Sequence, residues 1–446
     1  MTVNEIVLDL VKVSMFDADI RIPDDADWAA VYDEMKKQTI AGLPFEFISN
    51  YSAGKVSANS EDAAKNRAEC GVGDKVGSTA KSLKINDVEL NNIGGAESVR
   101  KYGVSRDDER LFYEWIAFGM RQTGQFDIML KAQDEMLRLL RESGIPAAIL
   151  KGCAAAIYYP RPELRAMGDI DFLVRESDYK RARQVLSQNG YVVTHEEQKG
   201  GHHIRFVKNG IAFELHRKPN GITADDGRMT DLMEEGLSHI EMHQIRGYDI
   251  PVLPKTQNGL VLLLHIMKHI KSGLGFRQII DWMMYVDKNL DDTYYGEYKD
   301  ILETIGLKDF AVTVTGFCQI YLGLRRDITW CSGADESVCS EFLEYLSEQG
   351  NFGRKKVHVD KGAKVLASER NIFDFIRFLQ RAGCINWKLA QEKPALKIFA
   401  WAYQCRKYIK IVLSQERPMD YLKYSFSEGQ KKQEFYQRLG IDKVKV

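Results

Sequence analysis

The chain has 446 residues, of which 44% are hydrophobic, and its formal net charge is −1. Its length is more than one ordinary hydrophobic core needs and predicts two or three domains. The near-zero charge argues against a nucleic-acid partner that is held by overall basicity. No stretch approaches the roughly 20 apolar residues that span a bilayer, so we expect no transmembrane segment.

The seven cysteines are scattered along the chain and include no Cys-x-x-Cys pair. An odd number of cysteines without such pairs is typical of free thiols in a reducing cytoplasm. Glu5 stands where a signal peptide would need a basic region followed by an apolar one. We therefore expect the protein to act in the cytoplasm.

The first 105 residues divide by composition into two parts. Residues 1–50 predict a small helical module, in which Asp27 caps the second helix. Residues 51–105 are rich in Gly, Ser, Asn, Lys and Glu and contain too few large apolar residues for a packed unit. We predict a flexible insertion over residues 51–105, which limited proteolysis should cut first; a substrate-capping lid is the alternative.

A long helical pattern from Asp107 to about Arg141 leads into a strand at Ile145. This strand ends in a Lys151-Gly152 turn. A helix of small residues, a loop with proline and arginine, and a second strand then follow. A turn of this kind lets the backbone approach a phosphate and adds one mobile cation.

Two aspartates, Asp169 and Asp171, open the second strand. They alternate with apolar residues, so their carboxylates share one face of the strand and favour a bound cation. Alone, Asp-x-Asp at a strand start is most simply a solvated turn. The nearby Lys151-Gly152 turn and Arg165 shift the interpretation towards a site that binds both a cation and an anion.

These residues carry a resemblance to a known family. The segment Leu150-Lys151-Gly152, followed by Arg165-x-x-Gly168-Asp169-Ile170-Asp171, resembles the uncharacterised nucleotidyltransferase family of the DNA polymerase β-like superfamily. The resemblance runs from about residue 145 to 216 and implies a mixed sheet. Lys151-Gly152-Cys153 replaces the superfamily's usual Gly-Ser turn. The resemblance therefore implies that Lys151, the backbone of Gly152, and Arg165 bind the phosphates of the donor.

The resemblance also implies a third carboxylate on a later strand. Residues 211–216 alternate in the manner of a strand, with Phe213 and Leu215 on one face and Glu214 and His216 on the other. Glu214 is the predicted third ligand, although the family more often has Asp there and a longer side chain must be accommodated. His216 is expected to orient Glu214 or to pair with a phosphate.

The chain after Val174 completes the sheet and, beyond a linker between Pro251 and Pro254, becomes helical. His265 and His269 share one helix face, where packed or interdomain histidines are the simplest interpretation and zinc binding is the alternative. Arg277 and Asp281 have the spacing of a helix salt bridge, with a role in the acceptor pocket as the alternative.

Residues 371–446 are basic, with fifteen Lys and Arg against seven Asp and Glu. Residues 395–413 mix basic side chains with Phe399 and Trp401. We interpret this segment as a solvated basic face over a buried aromatic stripe. Binding to a nucleic acid or to an anionic membrane surface is the alternative.

The predicted fold is α+β, a polymerase β-like nucleotidyltransferase core with a mixed sheet, flanked by helical N-terminal and all-helical C-terminal regions. We expect a helical module over 1–50, a flexible insertion over 51–105, a nucleotidyltransferase domain over 106–254 and a helical domain over 255–446.

The predicted activity is Mg²⁺-dependent transfer of a nucleoside monophosphate from a nucleoside triphosphate (NTP) to an acceptor, most simply a small-molecule hydroxyl or phosphate. Asp169, Asp171 and Glu214 would hold two Mg²⁺ ions, for which Mn²⁺ could substitute. The alternatives are a toxin-like enzyme that modifies tRNA or protein, and a nucleotide-binding scaffold without turnover.

Clustered carboxylates repel one another when no cation is bound. We therefore expect Asp171→Asn or Glu214→Gln to leave the apo protein equally stable or more stable. Lys151→Met or Arg165→Met is expected to weaken nucleotide binding by roughly ten- to a hundredfold.

Overall fold

The computed structural model describes residues 1–52, 106–195, 203–218, 227–270, 273–351, 372–414 and 417–441. One compact unit comprises residues 1–299 and 314–354, and a second comprises residues 300–313 and 355–445. Residues 255–299 thus belong to the same unit as the sheet, whereas the four-part division drawn from the sequence stays a prediction. From residue 53 onwards the predicted insertion at 51–105 lies outside the described residues.

The N-terminal segment is helical, as predicted. It forms α1 (Val3–Phe16), α2 (Trp28–Lys37) and α3 (Phe45–Ser52). The carboxylate of Asp27 accepts a hydrogen bond from the backbone N–H of Ala30 at 2.9 Å, which confirms its role as the cap of α2. The predicted long helix is α4 (Arg106–Glu142).

Within the described residues, the sheet has seven strands in the order β3-β4-β5-β2-β1-β7-β6. Their bounds are β1 (Ala147–Leu150), β2 (Ile170–Val174), β3 (Val192–His195), β4 (His203–Lys208), β5 (Ile211–His216), β6 (Glu241–Ile245) and β7 (Tyr248–Val252). Strand β2 runs parallel to β5 and antiparallel to β1, and β1 runs parallel to β7. The predicted mixed sheet in an α+β fold is therefore confirmed.

One face of the sheet packs on α4 and on α6 (Tyr179–Gln188), and the short helix α5 (Gly152–Ala156) follows β1. Ile170, Phe172 and Val174 of β2 point into this core. Because side chains alternate along a strand, Asp171 must lie on the opposite face of the sheet. The hydrophobic pattern of β2 thus decides which face carries the charged residues.

Beyond β5, the regular secondary structure of the described residues is helical apart from the hairpin of β6 and β7. The helices are α7 (Arg228–Ser238), α8 (Lys255–Ile270), α9 (Phe276–Asn289), α10 (Asp292–Ile305), α11 (Lys308–Tyr321), α12 (Glu336–Gln349), α13 (Ile372–Asn386), α14 (Lys388–Glu392), α15 (Ala400–Leu413) and α16 (Pro418–Arg438). None of the described helices combines the length and the apolar character that a membrane span requires.

The predicted buried aromatic stripe near α15 is wrong at two positions. Phe399 is 58% exposed and Trp401 is 45% exposed. The hydrophobic pattern predicted the helix, but two of its aromatic side chains face outwards within this unit.

Helix α8 is tied to the segment that follows β1 through one buried amide. Asn258 donates hydrogen bonds to the backbone oxygen of Ala154 at 3.0 Å and to the hydroxyl of Tyr158 at 2.8 Å. Its side chain is only 1% exposed. This contact holds α5, and with it the Lys151-Gly152 turn, against α8.

We expect Asn258→Ala to lower the free energy of unfolding by about 1–3 kcal/mol, because the substitution removes two buried hydrogen bonds and leaves the oxygen of Ala154 without this donor. Urea denaturation of the variant would measure the change. Lys180→Ala, an exposed substitution on α6, serves as the control and should stay within about 0.5 kcal/mol of wild type. Equal stability of the two variants would contradict a structural role for Asn258.

Candidate active site

Two of the predicted carboxylates stand side by side on neighbouring strands. Asp171 of β2 is the register partner of Glu214 of β5. Directly opposite residues in adjacent strands project to the same face, so both carboxylates lie on the side of the sheet away from the α4 core. Asp169 lies two residues before Asp171, at the position just before β2 begins.

His216 completes a compact group with these two carboxylates. Its Nε2 atom lies 2.8 Å from Oδ1 of Asp171 and 3.6 Å from Oε2 of Glu214. One ligand atom from each of Asp171, Glu214 and His216 lies within 4.8 Å of the others. Asp169 does not belong to this tightest group. The sequence predicted His216 as an orienting residue, and in the structure it contacts Asp171 more closely than Glu214.

Lys151 supplies a second cation to the same aspartate. Its Nζ atom lies 2.7 Å from Oδ1 of Asp171, and both side chains are almost completely buried. The backbone of Lys151 has φ 51° and ψ −139°, and Gly152 has φ 36°. A lysine in this conformation is strained, and such strain is found where the surrounding structure must hold one side chain in place.

The pKa values of Asp169 and Asp171 are shifted in opposite directions. Burial alone would raise the pKa of Asp171, but Lys151 and His216 outweigh burial and hold that pKa well below its usual range. Burial raises the pKa of Asp169 to about 6, and the charge of Asp171 adds to this effect. Asp171 is therefore stably ionised, whereas the negative charge of Asp169 at neutral pH is only partly offset, by Lys151 and Arg277.

Glu214 resembles Asp171 rather than Asp169. Burial alone would raise its pKa, but the neighbouring His216 and His203 outweigh burial and the repulsion from Asp171, and the pKa is lowered. His203 of β4 lies 3.9 Å from Glu214, measured between Nε2 and Oε2. Burial lowers the pKa of His203, so this imidazole is predominantly neutral at pH 7.

Helices α8 and α9 add basic residues that act electrostatically on the carboxylates. Desolvation and the charge of Lys151 lower the pKa of Lys268, while Glu214, Asp171 and Asp169 act in the opposite direction. The guanidinium of Arg277 donates to the backbone oxygen of Ala166 at 3.1 Å. In the part of the chain that the structure describes, neither Lys268 nor Arg277 pairs with a carboxylate.

The two histidines of α8 pack as predicted. The rings of His265 and His269 meet edge to face, with their centroids 4.6 Å apart. Burial, followed by the charges of nearby basic residues, lowers the pKa of His265 well below its usual range and that of His269 to about 3. Both rings are therefore neutral at pH 7 and add no positive charge.

Arg165 is engaged in a buried ion pair. Its Nε atom donates to Oδ1 of Asp281 and its Nη2 atom donates to Oδ2, both at 2.7 Å. The hydroxyl of Tyr159 also donates to Oδ1 at 2.7 Å. The predicted helix salt bridge between Arg277 and Asp281 is wrong, because Asp281 turns towards Arg165 instead. A direct contact between Arg165 and phosphate stays a prediction, and it would require this pair to open.

The sequence did not identify Lys268 or predict the place of Arg277. Both lie on helices that are distant from β2 in the sequence. No sequence pattern around them predicts that they lie near the aspartates. A basic residue at the edge of a strongly apolar helix is the only cue that could have drawn notice to Lys268.

We expect the two aspartates to respond in opposite ways when each is replaced by asparagine. Asp171→Asn leaves Lys151 buried without its charged partner and should destabilise the protein by about 3 kcal/mol. This expected loss of stability is the opposite of what repulsion between the carboxylates alone predicts for Asp171→Asn. Asp169→Asn removes a charge that burial and the neighbouring carboxylates disfavour and should stabilise the protein, by up to about 3 kcal/mol at pH 7–8.

The pH dependence separates these two effects. The folded-state pKa of Asp169 is raised, so ionisation weakens the folded state as pH rises from about 4 towards 7, and the advantage of Asp169→Asn should grow over that range. The pKa of Asp171 is lowered, so its stabilisation is complete above the unfolded-state value of about 3.9. Thermal melts in EDTA at pH 5 and pH 8 would test this; equal shifts for both variants would contradict the assigned charges.

A comparison with known families places this region. Residues 114–323 match the model of a family described as uncharacterised nucleotidyltransferase. The matched range contains every predicted site residue from Lys151 to Glu214, together with Lys268 and Arg277. No curated protein matches the chain.

Two solved structures share limited similarity with the chain. One is a solution structure of the antibiotic-resistance factor ANT(2″)-Ia, and the other is a crystal structure of ANT(2″)-Ia in complex with adenylyl-2″-tobramycin. Each has 12% sequence identity and a TM-score of 0.30, and the match covers 40% of this chain and 92% or 98% of the other. The family match is the informative result: residues 114–323 are similar to the uncharacterised nucleotidyltransferase family.

Proposed function

We propose that the protein transfers a nucleoside monophosphate from an NTP to a hydroxyl or phosphate of a small acceptor molecule, with Mg²⁺ or Mn²⁺ as cofactor. The observation that carries this proposal is the pairing of Asp171 with Glu214 across β2 and β5. Asp169 stands beside this pair, and basic residues from the β1 turn and from α8 and α9 surround it. Adjacent acidic and basic groups suit a metal–triphosphate complex.

The donor atoms fit a hard divalent cation. Asp171 and Glu214 offer carboxylate oxygens in a group only 4.8 Å across, and such oxygens are the ligands that Mg²⁺ and Mn²⁺ prefer. Asp169, Asp171 and Glu214 would hold two ions, and His216 would keep Asp171 oriented. When bound, the ions supply charge neutralisation for the triphosphate and make an acceptor hydroxyl easier to deprotonate.

The basic side chains have separate roles in the proposal. In the absence of nucleotide, Lys151 balances the charge of Asp171. When the carboxylate of Asp171 binds a metal ion, Lys151 contacts a phosphate of the nucleotide. Lys268 and Arg277, which have no carboxylate partner in the described part of the chain, bind the remaining phosphate oxygens. Arg165 acts through Asp281 and keeps the loop before Asp169 in place.

Glu214 is the residue that would receive the acceptor. It lies at the edge of the carboxylate group that faces β4, and His203 approaches it from that side. Its lowered pKa keeps it ionised at neutral pH, as a metal ligand and a proton acceptor must be. We propose a reducing compartment such as the cytoplasm, because the six described cysteines are all free thiols.

We expect wild-type protein to transfer label from NTPs labelled at the α-phosphate to a component of a cell extract when Mg²⁺ is present. Lys151→Met and Arg277→Met should each weaken NTP binding by roughly ten- to a hundredfold, because each loses a charge-assisted contact. Lys151→Arg should retain part of the affinity, and Lys180→Met is the neutral surface control.

The distribution of the label decides between the competing functions. Label in the fraction below 1 kDa supports a small acceptor molecule. Label on RNA or protein would show that the acceptor is a macromolecule instead. Tight NTP binding without any labelled product would indicate a scaffold and would contradict the proposed enzyme.

We expect the stabilisation of the protein by Mg²⁺ to increase between pH 5.5 and pH 7.5. Asp169 has a pKa of about 6 and must lose its proton before it can bind a cation. The rise in melting temperature on addition of Mg²⁺ would measure this effect. Asp169→Asn should remove the pH dependence, and a wild-type response that is independent of pH would contradict a role for Asp169 in metal binding.

A further inference from the structure

The charged face of the sheet continues beyond the proposed metal ligands. Register pairs join Asp171 of β2 to Glu214 of β5, Glu214 to Arg205 of β4, and Arg205 to His195 of β3. Register partners project to the same face. The register shifts between Val193 and His195, and this shift brings His195 to the face of Arg205, where both side chains line one cleft. The four side chains therefore form one row across four strands, which we name the cross-strand row: Asp171, Glu214, Arg205 and His195.

In this row, Asp171 and Glu214 are acidic, and the next two residues, Arg205 and His195, are basic. Strands lie about 4.8 Å apart, so Arg205 stands about 5 Å and His195 about 10 Å from Glu214 along the sheet. Arg205 and His195 are exposed. Among the described residues, the guanidinium of Arg205 makes no ion pair with a carboxylate. A cationic side chain thus points into solvent next to the carboxylate that would receive the acceptor.

A cleft of about 560 Å³ lies over the basic end of the row. Its lining residues are Thr194, His195, His203, Arg205, Val207 and Glu214. This volume is within the range that small-molecule sites occupy. Among the described residues that line the cleft, Glu214 alone is acidic, and it belongs to both the cleft and the carboxylate group. The cleft therefore opens directly onto the proposed reaction centre.

We propose that this cleft binds the acceptor and that the acceptor is a small molecule bearing a phosphate group. Its attacking hydroxyl or phosphate oxygen would lie at Glu214, and its recognition phosphate would lie on Arg205 and His195. The planar guanidinium of arginine matches two phosphate oxygens at once. The spacing of the strands places the attacking oxygen of the acceptor roughly 5–10 Å from its recognition phosphate, as in a phosphorylated sugar.

The inference rests on the proposed nucleotidyl transfer and adds the acceptor class to it. The reaction balances without a further reagent: the acceptor oxygen forms a bond to the α-phosphorus, the bond to the β-phosphate breaks, pyrophosphate leaves, and the acceptor proton passes to Glu214 or to water. Arg205 and His195 contact the acceptor away from the reacting atoms.

Phosphatase treatment tests the acceptor class. The fraction of a cell extract below 1 kDa is treated with immobilised alkaline phosphatase, the enzyme is removed, and the fraction is then supplied with α-labelled NTP, Mg²⁺ and wild-type protein. We expect most of the labelled product to be lost relative to a mock-treated fraction. Undiminished labelling, or labelling confined to macromolecules, would overturn the inference while leaving nucleotidyl transfer intact.

Charge reversal at Arg205 tests the location. Arg205→Glu should raise the concentration of the acceptor fraction needed for half-maximal transfer by about tenfold or more, with NTP binding unchanged, and Arg205→Lys should restore much of the loss. Lys208→Glu is the matched control, because Lys208 lies on the same strand but on the opposite face, over the ring of Tyr191. Equal effects at both positions would overturn the assignment. Absence of any labelled product with wild-type protein would instead count against the proposed function itself.

Discussion

The arrangement of the site depends on how the buried carboxylate of Asp171 is neutralised. Asp171 is 4% exposed and receives both the ammonium of Lys151 and the imidazole of His216 on a single oxygen. A buried charge without a partner costs several kcal/mol, so the backbone around it must deliver both partners. The strained turn at Lys151 and the parallel pairing of β2 with β5 are the two features that do so.

This arrangement explains why the site tolerates three neighbouring carboxylates. Two of them, Asp171 and Glu214, have basic neighbours that keep their pKa values low. At Asp169, burial and the repulsion from Asp171 and Glu214 outweigh the attraction of Lys151 and Arg277 and raise the pKa. A divalent cation would offset the charge that the protein itself leaves unbalanced, and the basic residues of α8 and α9 would then meet the anionic groups that accompany such a cation.

Local pattern was enough to predict the strands and the faces that carry Asp171 and Glu214, whereas the expectation that these carboxylates meet came from the family resemblance. Alternation in β2 and β5 forces their apolar residues into one core, so the polar residues of both strands must share the other face. The partner of Arg165 could not be predicted in this way. Asp281 lies 116 positions later in the chain, and only the packing of α9 brings it to the loop. The same holds for Lys268, whose helix carries no periodic signal that points to the carboxylates.

The positions of bound metal ions decide whether Asp169, Asp171 and Glu214 form a metal site for a nucleotide. Crystals grown with Mn²⁺ and a non-hydrolysable NTP analogue would reveal the ions by anomalous diffraction. We expect Mn²⁺ between Asp169, Asp171 and Glu214, with Lys151 moved from Asp171 to a phosphate oxygen. Manganese bound elsewhere, with the contact between Lys151 and Asp171 intact and the nucleotide distant from both, would contradict it.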